Sequence, residues 1–173
     1  QTTAREVSAL MTFKKGILAL ACMLFIGCAS SSSQRAIDIT NKDLLNSFNP
    51  YILVKTDETK YAIIYQSMPA GDIRPSLAPI GSALFVDVLK QINRVCNFKS
   101  ADLKETRVVY FDDKTSFSYE VWVFNDPLSE RDNKTTAITV LLKPTPEIGV
   151  TDMDFRIPEN CHAPKQTIFV FGK

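Results

Sequence analysis

Apolar residues recur with two periods along this chain. Leu84, Phe85, Val88, Leu89, Ile92, Val95 and Cys96 are three and four positions apart, with Asp87, Lys90, Gln91, Asn93 and Arg94 around the rest of the wheel. That spacing predicts an amphipathic helix. Ser82 is its natural N-cap, and Arg94 complements the dipole at its far end. Elsewhere the residues are β-branched and aromatic. Residues 51–55 (YILVK) and 61–66 (YAIIYQ) flank Thr56, Asp57, Glu58 and Thr59, which predicts a hairpin. Residues 107–111 (RVVYF) and 116–124 (SFSYEVWVF) bracket Asp112, Asp113, Lys114 and Thr115 in the same way. In the second of these strands Phe117, Tyr119, Val121 and Val123 give one apolar face, and the other turns apolar only at Trp122 and Phe124. Residues 136–142 (TAITVLL), 153–157 and 167–171 (TIFVF) add strands, and residues 37–48 are compatible with one or two helical turns closed by Pro50. Residues 68–80 carry Pro69, Gly71, Pro75 and Pro79 and predict an irregular crossover, and residues 125–133 a polar turn. The expected fold class is α+β, one main helix packed on an antiparallel sheet of about five to seven strands.

One apolar stretch obeys neither period. Lys14 and Lys15 precede an unbroken apolar run over residues 16–26, followed by Gly27, Cys28, Ala29 and four serines. A charged start, an apolar run of about 7–15 residues and a small residue describe an export signal. A membrane span would need about 20 apolar residues. Phe25-Ile26-Gly27-Cys28 resembles the lipobox of bacterial lipoproteins, with Phe25 where leucine is usual. The resemblance implies that the Cys28 thiol carries diacylglycerol and becomes the new N-terminus. Ala29, where enteric-type sorting uses aspartate for inner-membrane retention, implies transfer to the outer membrane, with the domain facing the periplasm. The expected organisation is upstream sequence at 1–10, signal peptide at 11–27, an acylated serine-rich tether at 28–36 and one periplasmic domain at 37–173.

In that oxidising compartment Cys96 and Cys161 are the two cysteines left after export, and a disulfide is the natural expectation. Closing about 65 residues would contribute roughly 4 kcal/mol on chain-entropy grounds. The alternative is two free or metal-bound thiols. A zinc site using the only histidine, His162, would lack the CxxC spacing that marks such sites.

Charge and motifs narrow the chemistry. From 20 basic and 19 acidic residues, removal of Arg5, Lys14, Lys15 and Glu6 leaves 17 and 18, a net charge of about −1. No basic stripe suited to nucleic acid exists. His162, in a cysteine- and proline-containing loop, reads as a surface residue, and no GxSxG elbow accompanies a serine. Asp112 and Asp113 fit a turn, and Asp152 and Asp154 a solvated strand face, without an EF-hand pattern. With six unclustered glycines, no phosphate loop can be drawn. No catalytic residue, metal or cofactor is expected.

The aromatic inventory points to partners instead, because aromatic anchors are enriched at interfaces. Trp122 and Phe124 on the sheet, with Ile73 and Leu77 in the crossover, are the expected partner-binding residues. The order of signal, helix ending in cysteine, strands and second cysteine is similar to one class of type II secretion pilotins. That likeness covers the signal, helix and cysteine order only, and the separation of the cysteines is longer than is usual. The expected function is therefore a non-enzymatic, outer-membrane-anchored lipoprotein that binds an envelope protein, in a pilotin-like or secretion-accessory role. The alternatives are a periplasmic inhibitor or ligand-binding lipoprotein and, further off, an envelope hydrolase.

Overall fold

Strand β5, Phe117–Asn125, is buried on both faces along nearly its whole length, and the other elements are arranged around it. The computed structural model describes residues 33–145 and 147–171. The signal segment, Cys28 and residues 29–32 lie outside the described residues. Among the described residues eight strands form two antiparallel sheets, against which two α-helices lie. Helix α1 runs through residues 33–46. β1 (Tyr51–Glu58), β2 (Ala62–Pro69) and β8 (Thr167–Phe171) make a small sheet in the order β1-β2-β8. β3 (Asp72–Ile73), β4 (Leu103–Asp112), β5, β6 (Thr135–Thr145) and β7 (Val150–Arg156) make a five-stranded meander.

Helix α2, Ala83–Cys96, covers one face of the meander with Phe85, Val88, Leu89 and Ile92. Ser82 caps it as expected, its Oγ accepting from the Phe85 amide at 3.1 Å. Beneath it lie Trp122, Phe124, Ile138, Val140 and Leu142. The opposite face, with Tyr119, Val121, Val123, Ala137 and Leu141, packs on Tyr51, Ala70 and Ala163. The expected α+β class is correct, and so is the disulfide: Cys96 and Cys161 are joined, with Cα atoms 5.3 Å apart. Among the described residues no helix is long and apolar enough to cross a membrane.

Several boundaries differ from expectation. α1 extends back through residues 33–36, so that part of the expected tether is helix. The Gln34 amide accepts from the Tyr65 hydroxyl at 3.1 Å and donates to Asp38 at 2.9 Å. β6 continues past Leu142 through Pro144 to Thr145. Ser118 of β5 pairs with Leu142, so Pro144 lies beyond the end of β5 and is paired only to Thr151 of β7. A proline's missing N–H is tolerated on such a locally unpaired edge. The crossover expected to be irregular contains the short strand β3. Its approach to β4 depends on Gly71, which has a left-handed φ of 83°. A Cβ there would meet the Val108 carbonyl carbon at 2.8 Å.

Buried in the α2-side core is the side chain of Glu120. Its Oε1 accepts from the Leu77 amide at 2.8 Å and from Ser118 Oγ at 2.6 Å, and its Oε2 accepts from Trp122 Nε1 at 2.9 Å. No cation pairs with it among the described residues. Because removing one side chain would leave two buried donors and the part-buried Leu77 amide without a partner, we expect Glu120→Ala to destabilise the fold by roughly 3–5 kcal/mol. Chemical denaturation of the purified domain measures this. A loss below about 1 kcal/mol would show that the three donors find other partners.

Candidate functional site

Of the residues expected to bind a partner, the structure exposes few. Trp122 and Phe124 are fully buried, stacked on Phe85 and Phe98 at centroid distances of 5.5 and 5.0 Å. They are core and not a free surface, which corrects the expectation for both. The cause is that β5 is covered on two sides: the face that turns apolar at its end lies beneath α2. Leu77 is half-buried against the same core and tied down by Glu120. Ile73 alone of the four is well exposed, on β3. The four do not form one surface. Cys28 lies outside the described residues.

A different concavity opens where the α1–β1 corner meets the loop after β7. It is an open groove of about 670 Å³. Phe48, Pro50, Ile157 and Pro158 give it apolar lining, while Glu130, Arg156, Glu159 and His162 supply polar groups. None of Ile73, Leu77, Trp122 or Phe124 lines it.

Its walls are held by side-chain chemistry. The corner is fixed by the Thr139 hydroxyl donating to the Phe48 carbonyl at 2.8 Å, by Tyr119 donating to the Asn49 carbonyl, and by the Ala137 amide donating to the Tyr51 hydroxyl at 2.8 Å. Burial pushes the Tyr119 hydroxyl up to about 12, which keeps it a neutral donor. The Arg131 guanidinium lies 3.9 Å over the Tyr51 ring and donates to the Ser67 carbonyl and hydroxyl. Burial lowers its proton affinity, and the Tyr51 oxygen opposes that shift.

The loop wall is anchored by Cys161, disulfide-bonded to the end of α2 and left-handed in backbone (φ 62°), and by Asp126. Asp126 is 2 % exposed. Its carboxylate accepts from the Thr136 hydroxyl at 2.6 Å and the Leu128 amide at 3.0 Å. Thr136 in turn accepts from the Ala163 amide at 2.8 Å. Nδ1 of His162 stands 3.0 and 3.1 Å from the two Asp126 oxygens. A carboxylate only accepts, so Nδ1 carries the proton; in the neutral ring Nε2 is then left with a free lone pair. Burial opposes the Asp126 charge, but the bonds from Thr136, His162 and Leu128 outweigh it and hold the carboxyl below its ordinary value.

His162 is thus a half-buried, oriented side chain, not the simple surface residue expected. The signal that could have singled it out is its position as the only histidine, between Cys161 and Pro164; its carboxylate is 36 residues away in sequence. The other carboxylates behave as expected. Asp112 accepts from Thr115 at 2.7 Å and Lys114 at 3.0 Å in its turn, and Asp154 pairs with Arg156 at 2.9 Å. Among the described residues no group of three histidine, cysteine or acidic side chains is placed to hold a metal ion.

No protein-family model, curated protein or solved structure matches this chain.

Asp126 also gives the loop an acid-sensitive tie. Its folded value is depressed, so its stabilisation is complete above the unfolded value near about 4 and is lost as pH falls through the folded one. We expect Asp126→Asn to cost about 1–3 kcal/mol at pH 7. The difference from the natural protein should shrink as pH drops below about 4. Denaturation at several pH values tests this, and a difference that stays constant down to pH 2 would contradict it.

Proposed function

We propose that this chain is a lipid-anchored, non-enzymatic recognition module of the bacterial outer membrane, in the manner of a pilotin or secretion accessory. Its groove would hold a segment of another envelope protein. The groove itself carries this reading: apolar lining with polar groups beside it is the composition of a protein-recognition surface. Its walls are pinned by a disulfide and by buried hydrogen bonds, so little ordering remains to oppose binding. The lipobox-like Phe25-Ile26-Gly27-Cys28 supports the address.

One observation favours a second reading. A histidine oriented by a buried carboxylate is how many hydrolases hold a general base. Among the described residues, however, no hydroxyl or thiol is hydrogen-bonded to His162, so a nucleophile is not in place in this geometry. A groove of this volume would also suit a small ligand, as an inhibitor or ligand-binding lipoprotein would require.

A photo-crosslinking residue at Leu128, exposed and on the groove, should give a discrete protein adduct in intact envelopes; at Ile80, before α2, it should give none. Leu128→Asp should weaken co-purification of the same partner from envelopes by on the order of 2 kcal/mol, about thirtyfold, without lowering the melting temperature, because Leu128 is exposed and outside the core. Cys28→Ser should release the protein from membranes. Adducts at Ile80 alone, or turnover of peptidoglycan or ester substrates that His162→Gln abolishes, would overturn the recognition reading.

A further inference from the structure

The small sheet has one face that is covered and a second that is open toward the hairpin end, Ile52 at its other end packing on the meander. α1 covers the first, setting Ile37 and Leu44 against Leu53, Ile63, Tyr65, Ile168 and Val170. Strand alternation turns Val54, Ile64, Phe169 and Phe171 to the other side. Phe169 and Phe171 are 52 % and 74 % exposed and stack at 6.2 Å, and no element among the described residues covers them. Beside them in the β1–β2 hairpin, Tyr61 is 71 % exposed, with Lys60 Nζ 5.6 Å from its ring centre.

The register of α1 on β1 fixes which end of the molecule this is. Asn41 bridges to the outer edge of β1, donating to the Leu53 carbonyl at 2.9 Å and accepting from its amide at 2.7 Å. The C-terminal end of α1 leads through Phe48 and Asn49 into Tyr51, so helix and strand run antiparallel. Eight helical residues from Asn41 back to Ser33 rise about 12 Å. Four strand residues from Leu53 to Asp57 advance about 13 Å. Ser33 therefore stands level with the hairpin end, where Tyr61 sits and Phe171 pairs with Ala62. Cys28 is five residues earlier, a tether of at most about 17 Å. At the other end of the same helix, Ser47, Phe48 and Pro50 line the groove.

We propose that Tyr61, Phe169 and Phe171, with Lys60, form a lipid-docking edge. It seats in the headgroup region of the bilayer that holds the Cys28 acyl group, and it turns the groove away from that bilayer. This rests on the lipid-anchored reading. Aromatic side chains favour the membrane–water interface, and a lysine stem lies along apolar surface while its charge stays in water. The acyl group keeps the protein at the membrane, while the aromatic edge sets its orientation.

The test is depth-dependent quenching in the acylated full-length protein, reconstituted in phosphatidylethanolamine–phosphatidylglycerol liposomes with bromine on the shallow acyl carbons. Trp122 is buried and gives a constant background. Phe171→Trp should lose emission relative to unbrominated liposomes, and Ile80→Trp, on the α2 side, should not. Tyr61→Trp reports the same edge should the substitution at 171 disturb β8. Mass measurement of the acyl group separates the two readings. An acylated protein with tryptophans at 171 and 61 unquenched, or crosslinked as dimers through this face, would overturn the docking edge alone. A protein without the acyl group would overturn the anchoring reading and this inference together.

Discussion

Glu120 sits where nothing polar can stand alone, because α2 covers one face of β5 and the small sheet and its flanking loops cover the other. Its two oxygens take up three donors, one of them the Leu77 amide from 43 residues away. That bond draws the proline-rich crossover onto the sheet and so sets where Ser82 begins α2. The direction of α2 then decides where Cys96 emerges, and Cys96 holds the Cys161 loop that walls the groove. A buried polar group left unpartnered costs about twice what a bond adds, so one carboxyl constrains a long series of elements.

On the opposite face the same logic recurs with different chemistry. Tyr119, Thr139 and Tyr51 tie the α1–β1 corner to the meander, while Asp126, Thr136 and the Ala163 amide tie down the loop. The two walls of the groove are therefore fixed independently by polar contacts inside an apolar layer, and His162 is oriented as a consequence. Recognition by such a surface relies on preorganisation more than on area.

Periodicity made the core elements legible: α2, both hairpins and the β-rich second half follow directly from spacing, and the cysteine count, with the oxidising compartment expected from the signal-like stretch, pointed to the disulfide. The shortfalls share one cause, dependence on partners distant in sequence. Trp122 reads as a surface aromatic until α2 is seen lying over it, and Gln34 reads as tether until Tyr65 meets it. His162 reads as a loop residue because Asp126, 36 positions earlier, is brought to it only by the fold. The strand over residues 136–142 reads three residues short because the length of its neighbour β5 cannot be seen from position 142.

With the proposed membrane-docking edge at one end of α1 and the proposed recognition groove at the other, helix α1, about 20 Å long, is the axis of the molecule. Hydrogen–deuterium exchange of the native protein, compared between detergent solution and intact outer-membrane vesicles, addresses both ends at once. Two separate footprints should appear in vesicles, one over residues 61–64 and 167–171 and one over residues 47–51 and 156–166, with the exposed side of α2 unchanged. Protection spreading over α2 while both of those segments exchange as freely as in detergent would contradict the arrangement.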